Sequence, residues 1–106
     1  MIIAVDFDGT LCEYRCPEIG EEKKKVVEWV KGKKEEGSGI ILWTCREGES
    51  LQKAIDWCII RGIVFDAINQ NVPSLQNKSY AIRKVYADIY LDDKNLLITY
   101  IELGGS

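Results

Sequence analysis

The feature that most constrains this chain is the alternation of short apolar runs with longer segments of helical periodicity. Residues 21–36 and 50–61 carry apolar side chains at spacings of three and four, which is typical of amphipathic helices. Apolar runs predict strands over residues 2–6, 39–43, 63–65, 85–91 and 96–103. Because strands that alternate with helices favour right-handed crossovers, the sequence predicts an α/β fold with a Rossmann-like parallel sheet. We expect a three-layer α/β/α arrangement with about five strands.

Length and composition are those of a single globular domain. The 106 residues are 46% hydrophobic, which is enough for one core, and we expect one domain with a flexible tail at residues 103–106. A net charge of −3 gives no clear basic patch for nucleic acid. No apolar run approaches the roughly 18 residues of a membrane span, and the first residues do not resemble a secretion signal. We therefore expect a cytoplasmic protein that does not bind membranes.

Polar side chains stand where three of the predicted strands end. Asp6 and Asp8 follow the first strand, and residues i and i+2 of an extended segment project to the same side. Thr44 follows the second strand, with Arg46 close behind it, and Asp92-Asp93 follows the fourth. Ligands of parallel α/β sheets bind beyond the carboxyl ends of the strands. These side chains should therefore converge on one site.

Paired carboxylates suit Mg²⁺, which takes oxygen ligands and is often held by one or two carboxylates together with substrate phosphate. One carboxylate of such a pair can also act as a nucleophile and the other as a general acid/base. Several carboxylates close together would repel each other unless a cation neutralised them. The pattern predicts a Mg²⁺ site at Asp6 and Asp8, with either Asp92 or Asp93 as the further direct ligand.

These residues, in this order, resemble the signatures of the haloacid dehalogenase-like superfamily, whose members are mostly phosphatases. The string from Asp6 to Leu11 is similar to the first signature, and the others are matched in turn by Thr44, Lys84 and Asp92-Asp93. The resemblance spans residues 1–93 and implies a Mg²⁺-dependent phosphoester hydrolase that forms an aspartyl-phosphate. It implies Asp6 as the nucleophile and Asp8 as the general acid/base. Thr44 and Lys84 would hold the phosphoryl group, and Asp93 or Asp92 would complete the metal site.

Members of this superfamily usually carry a cap domain that closes over small substrates, and this chain has no room for one. Only Cys12 to Gly20 separates the first signature from the first predicted helix. We therefore expect an open site that serves a large or macromolecular phosphorylated substrate, or that a second copy covers in a homo-oligomer. Arg46 either binds a further anionic group of the substrate or forms a surface ion pair with Glu47 or Glu49.

Other assignments stay open at this level. Lys78 competes with Lys84 for the phosphate, while Asn69 and Asn71 are expected to be turn residues. A receiver-like or non-catalytic module that binds Mg²⁺ and phosphate would use similar residue types. Such a receiver places the phosphorylated aspartate at the end of the third strand, near Asp66 here. Its distinguishing property would be stable phosphorylation without turnover.

The chain contains four cysteines, at positions 12, 16, 45 and 58. Their spacing does not match the paired pattern of a zinc site, and no histidine is present to ligate a metal or to activate a thiol. Because no secretion signal points to an oxidising compartment, we expect reduced and partly buried thiols. A disulfide between Cys12 and Cys16, or a metal contact of these two cysteines, is the alternative.

Overall fold

The computed structural model describes residues 1–70 and 86–105. Its elements in chain order are β1 (Ile2–Val5), α1 (Lys24–Glu35), β2 (Gly39–Leu42), α2 (Gly48–Ile60), β3 (Ala67–Ile68), β4 (Ile89–Leu91) and α3 (Leu96–Glu102). This architecture confirms the predicted α/β class. None of the described helices is long and apolar enough to cross a membrane.

The strands of the described part form one four-stranded parallel sheet in the order β3-β2-β1-β4. Ile3 pairs with Ile40 on one side and with Ile89 on the other, so β1 lies inside the sheet. Its uniformly apolar sequence suits a strand that is covered on both faces. Because all the strands run in the same direction, their carboxyl ends lie along one edge of the sheet.

The two faces of the sheet carry different cores, as strand alternation requires. The larger core joins one face of β1 and β2 to all three described helices and includes Ile3, Val5, Ile40, Leu42, Val26, Val30, Ala54, Cys58, Ile98 and Ile101. The smaller core, on the other face, consists of Ala4, Ile41, Ala67 and Ala87 with partly buried Ile2, Trp43 and Tyr90. Residues 1–70 and 86–105 thus place helices on one face and do not complete the predicted three layers.

The third strand begins later than the sequence predicts. Residues 63–65 are not a strand, and pairing with β2 begins where Ala67 lies opposite Ile41. The Asp66 carboxylate explains this shift, because it accepts hydrogen bonds from the Ile40 N–H at 2.7 Å and from Lys34 Nζ at 2.7 Å. The Asp66 N–H also donates to the Ile40 carbonyl at 2.7 Å, so Asp66 is fixed at the amino end of β2 and strand pairing continues with Ala67.

The predicted strand over residues 96–103 is wrong, because helix α3 occupies this segment. Asn95 caps the helix: its Oδ1 accepts the N–H two residues later at 2.8 Å, and its amide donates to the Tyr90 carbonyl at 2.6 Å. Ile98 and Ile101, three residues apart, are the buried positions. This is the spacing of a helix face, and the described sheet therefore has four strands instead of about five.

The ends of two further segments also depart from the prediction. Strand β4 begins at Ile89, whereas the predicted start at residue 85 lies outside the described residues. The main-chain N–H groups of Leu103, Gly104 and Gly105 donate to carbonyls of the last turn of α3. This part of the expected tail therefore closes the helix.

Candidate active site

The carboxyl edge of the sheet brings together residues that follow β2, β1 and β4. The Asp6 N–H donates to the Leu91 carbonyl at the end of β4 at 2.9 Å. The Trp43 N–H donates to the Val5 carbonyl at 2.9 Å, which extends the pairing of β2 with β1 up to the residue before Thr44. The polar residues after three adjacent strands thus stand next to each other.

Two cavities open at this edge, and Asp6, Thr44 and Cys45 line both of them. The larger has a volume of about 520 Å³, and Asp8 and Asp93 also line it. The smaller has a volume of about 250 Å³ and is bounded by Trp43, Tyr90 and Asp92 among others. Asp6 is therefore accessible from two sides, and the adjacent acidic residues Asp92 and Asp93 line different cavities.

Asp6 is partly buried among other carboxylates. Its pKa is raised from 3.8 to about 6, with burial as the largest cause and the charges of Asp8, Asp93 and Asp92 acting in the same direction. A hydrogen bond from the Phe7 N–H to Asp6 Oδ1, 2.8 Å long, opposes the rise. A cation bound beside Asp6 would relieve this repulsion.

Phe7 and Gly9 explain how the string of the first signature folds. The Phe7 side chain is fully buried and meets Trp57 edge to face, with 5.3 Å between the ring centroids. Gly9 has a φ of +83°, and a Cβ at this position would lie 3.2 Å from the Asp93 Cβ. Glycine therefore permits both the left-handed turn and the close approach of Asp93 to the loop after β1.

The Asp8 carboxylate is held by Arg46 through both oxygens. Arg46 Nε donates to Oδ2 at 2.8 Å, and Nη2 donates to Oδ1 at 2.7 Å. The Arg46 side chain is 1% exposed. Its remaining N–H groups donate to the carbonyls of Pro17 at 3.0 Å, Glu18 at 2.8 Å and Ser50 at 3.3 Å. All five donors of the guanidinium thus have acceptors within the chain.

This arrangement differs from the surface ion pair that the sequence left open for Arg46. The ion-pair partner is Asp8 and not Glu47 or Glu49. Every guanidinium N–H is already used, so a substrate anion could reach Arg46 only by displacing one of these acceptors. Sequence reasoning missed the pair because its members are 38 residues apart. The sequence does show that Asp8 and Arg46 each follow a predicted strand by a few residues, and these two strands are neighbours in the sheet.

The acidic side chains do not form a ready-made metal cluster. Within residues 1–70 and 86–105, no three acidic or thiol side chains converge closely enough to hold an ion. The Asp8 carboxylate faces Arg46, and Asp92 Oδ1 accepts the Lys94 N–H at 2.9 Å. Asp6 and Asp93 both line the larger cavity. Because carboxylate oxygens are the donors that Mg²⁺ prefers, these two residues best fit that cation.

Thr44 is fixed by hydrogen bonds at its backbone and at its side chain. Its N–H donates to Asn69 Oδ1 at 2.8 Å, and its Oγ1 accepts the Arg46 N–H at 3.1 Å. Asn69, with a φ of 52°, adopts the turn conformation expected for asparagine and also supports Thr44. The predicted phosphate-binding residue Lys84 and its competitor Lys78 lie outside the described residues, as does Asn71.

The segment from Cys12 to Gly20 forms one wall of the larger cavity. The Glu13 N–H donates to the Glu21 carbonyl at 2.8 Å, which closes this segment as a loop at its base. Tyr14 and Cys16 from the loop line the cavity, and so does Lys94 after β4. Sequence reasoning did not single out these three residues for the site. The position of the loop depends on distant contacts with Arg46, which local patterns do not reveal.

All four cysteines are free thiols, as predicted. Cys12 and Cys58 are buried, and burial is the main cause that raises the pKa of Cys58 to about 12. Cys16 and Cys45 are exposed at the candidate site. The buried pair contributes to the core, and the expected disulfide alternative between Cys12 and Cys16 is not formed.

Comparison with known proteins then establishes the family. No protein-family model matches the chain, and no curated protein does. Among solved structures, it is similar to a conserved protein of Bacteroides thetaiotaomicron, with 40% identity, a TM-score of 0.81 and coverage of 100% of this chain and 93% of that one. The chain belongs to the family of this conserved protein. Likeness to the Bacteroides protein extends over the whole chain and supports the fold.

Proposed function

We propose that this chain is a Mg²⁺-dependent phosphoester hydrolase of the haloacid dehalogenase-like superfamily that acts through an aspartyl-phosphate. The observation that supports this most strongly is that Asp6, Asp8, Thr44 and Asp93 line a single cavity at the carboxyl ends of adjacent strands. Four of the residues that carry the resemblance to this superfamily are thus found together. Phosphoryl transfer can use a carboxylate nucleophile, an acid/base group and a hydroxyl donor, together with a cation that neutralises the phosphoryl charge.

Asp6 is the nucleophile in this proposal. One of its carboxylate oxygens forms a bond to phosphorus while the bond from phosphorus to the leaving oxygen breaks, and the phosphoryl group remains on Asp6. Mg²⁺, when bound, would neutralise charge on the carboxylates and on the phosphoryl oxygens. Asp6 and Asp93 would hold it, because the carboxylate of Asp8 is engaged by Arg46.

Asp8 and Thr44 complete the reaction. Asp8 gives a proton to the leaving oxygen and later takes one from the water that attacks the aspartyl-phosphate. Both oxygens of Asp8 accept hydrogen bonds from Arg46. When one oxygen carries the proton, its hydrogen bond from Arg46 must therefore weaken. The Thr44 hydroxyl oxygen already accepts the Arg46 N–H, which leaves its own proton free to be donated to a phosphoryl oxygen.

The substrate class is a phosphomonoester whose leaving group extends out of the larger cavity. Tyr14, at the rim of this cavity, is 71% exposed and offers an aromatic surface to a group outside it. This supports a large phosphorylated substrate, or a second copy of the chain that covers the opening. The loop around Tyr14 already walls one side, so the site is less open than the missing cap domain implied.

The test is phosphate release from p-nitrophenyl phosphate with Mg²⁺ and with EDTA. We expect release by the parent chain with Mg²⁺ and none with EDTA or after Asp6→Asn, because an amide is a poor nucleophile. Asp56→Asn, on the exposed surface of α2, is the matched control and should keep full activity. Absence of release by the parent chain would refute the proposal.

The same preparation separates a hydrolase from a receiver-like module, which acetyl phosphate would phosphorylate stably without turnover. The structure gives such a module little support, because Asn69 follows β3 and Asp66 is bound to Lys34 at the opposite edge of the sheet. In a hydrolase, Asp8→Asn should accumulate a phosphate on Asp6 when the leaving group is good, since a phenolate needs little protonation. Mass spectrometry after rapid quenching would detect it.

A further inference from the structure

We infer that Arg46 is a positioning residue that fixes the carboxyl of Asp8 and clamps the cavity loop, defined here as residues 13–20, against it. The inference rests on the proposed function, since it gives Arg46 a role through the acid/base group of that reaction. Arg46 itself touches neither the phosphoryl group nor the metal in this arrangement. It acts by holding one catalytic side chain and one wall of the cavity in a single unit.

The contact between Arg46 and Asp8 fixes the orientation of the Asp8 carboxyl. Two parallel N–H to oxygen bonds, of 2.8 and 2.7 Å, set both the position and the plane of the carboxyl. The Arg46 guanidinium also packs over the ring of fully buried Phe7, with 5.1 Å between Arg46 Cζ and the ring centroid. A lysine would offer the charge but not the planar fork, so the orientation of Asp8 depends on arginine.

The same guanidinium holds the cavity loop. It donates to the carbonyls of Pro17 at 3.0 Å and Glu18 at 2.8 Å, in the half of the loop that returns toward α1. Tyr14 and Cys16 of this loop line the larger cavity together with Asp8. Any displacement of the loop by a leaving group would therefore strain bonds to the group that orients Asp8. The surface that meets the leaving group and the acid that protonates it are thus mechanically linked.

This linkage predicts a specific kinetic effect. Proton donation by a positioned group matters most for poor leaving groups and contributes about 10²-fold or more to such steps. A nitrophenolate leaves almost unaided, whereas an alkoxide does not. Loss of Arg46 should therefore lower kcat/KM for glycerol 2-phosphate much more than kcat/KM for p-nitrophenyl phosphate, because kcat/KM reports the step in which the leaving group departs. A residue that only stabilised the fold would slow both reactions to the same extent.

The experiment compares kcat/KM for these two substrates in the parent chain, Arg46→Lys, Arg46→Met and Asp8→Asn, with folding checked by circular dichroism. Unlike kcat, kcat/KM reports the transfer of the phosphoryl group to Asp6 and not the hydrolysis of the aspartyl-phosphate, which both substrates share. We expect the ratio of aryl to alkyl kcat/KM to rise by about tenfold or more in both Arg46 variants. Adding Arg46→Met to Asp8→Asn should not raise the ratio further, because the group that Arg46 positions is already lost. Guanidinium ion should partly restore the alkyl reaction in Arg46→Met.

A loop variant tests the second contact without changing Arg46 or Asp8. In Gly20→Ala the new Cβ would collide with the Glu13 carbonyl oxygen, so the backbone of the cavity loop has to shift. We expect the aryl to alkyl ratio to rise here too. Gly32→Ala is the control, because a Cβ at this position in α1 meets nothing within 4 Å, and its ratio should equal that of the parent.

Equal losses on both substrates in folded Arg46→Lys or Arg46→Met would overturn the inference, and so would an unchanged ratio in Gly20→Ala. If Arg46→Met fails to fold, Arg46→Lys and Gly20→Ala still decide the question. If the parent chain hydrolyses neither ester, both the proposed function and this inference are refuted. An active parent with unaltered ratios in the variants would remove the inference alone.

Discussion

Replacing Asp6 with asparagine should make the metal-free protein more stable at neutral pH. Burial, followed by the charges of Asp8, Asp93 and Asp92, raises the pKa of Asp6 from 3.8 to about 6. The folded state therefore binds this proton more tightly than the unfolded state, and ionised Asp6 opposes folding. Asparagine removes the charge, and its Oδ1 can still accept the Phe7 N–H that Asp6 accepts at 2.8 Å.

The size and the sign of the effect follow from this pKa. At about 1.4 kcal/mol per pKa unit the full cost would approach 3 kcal/mol, and partial exposure of Asp6 screens some of it. We expect Asp6→Asn to gain about 1–3 kcal/mol in free energy of unfolding above pH 6. Because the native carboxyl is protonated below its unfolded pKa, the gain should disappear near pH 3.8 and grow as the pH rises toward 6.

Urea unfolding of the parent chain and the variant, followed by circular dichroism from pH 4 to pH 8 in EDTA, measures this difference. Asp56→Asn controls for the loss of a carboxylate at an exposed position of α2. Repeating the series with Mg²⁺ should stabilise the parent by mass action and leave Asp6→Asn almost unchanged. A variant no more stable than the parent at pH 8 would refute the reasoning. An advantage that was equal at pH 4 and pH 8 would refute it as well.

Three further perturbations test other parts of the structure. Asp66→Asn should cost about 1 kcal/mol at pH 7, because it weakens the bonds to Lys34 and to a main-chain N–H of β2. Although burial opposes them, these bonds lower the pKa of Asp66, so urea unfolding should show the cost vanishing as the pH falls below that pKa. Gly9→Ala should destabilise the chain by about 1–2 kcal/mol in the same assay, since φ is +83° and the new Cβ would crowd Asp93. Calorimetry should show weaker Mg²⁺ binding by Asp93→Ala than by Asp92→Ala, and the reverse order would assign the direct ligand to Asp92.

The parts of the fold that periodicity determines could be predicted from the sequence. Strands β1 and β2 lie within two uninterrupted apolar runs, and α1 and α2 have apolar residues on one face, so local pattern and burial agree. The segment 96–103 could not be assigned in this way. Its β-branched and aromatic residues favour a strand, yet the cap at Asn95 and the burial of Ile98 and Ile101 against the other helices give α3.

The candidate site could also be predicted only in part from the sequence. The positions of Asp6 and Thr44 follow from the rule that parallel strands end at one edge, which requires only the order of the elements. The pairing of Arg46 with Asp8 depends on which direction two side chains take after leaving adjacent strands. The sequence alone offers other acidic partners, such as Glu47 and Glu49. Tyr14 lies in the loop whose Pro17 and Glu18 carbonyls accept hydrogen bonds from the same guanidinium, and such contacts between distant residues are not visible in a local pattern.

Trp43 gives the protein an optical reporter inside the site. This indole borders the smaller cavity beside Asp6, one residue before Thr44. The other two tryptophans, Trp29 and Trp57, lie in helices and have cationic side chains 5.3 and 3.6 Å from their ring centroids. Indole fluorescence responds to nearby charge and to solvent. Substituting phenylalanine at positions 29 and 57 would leave Trp43 as the one indole of the chain. The wavelength and intensity of its emission would then follow the charge of the nearby carboxylates and the binding of ligands in real time.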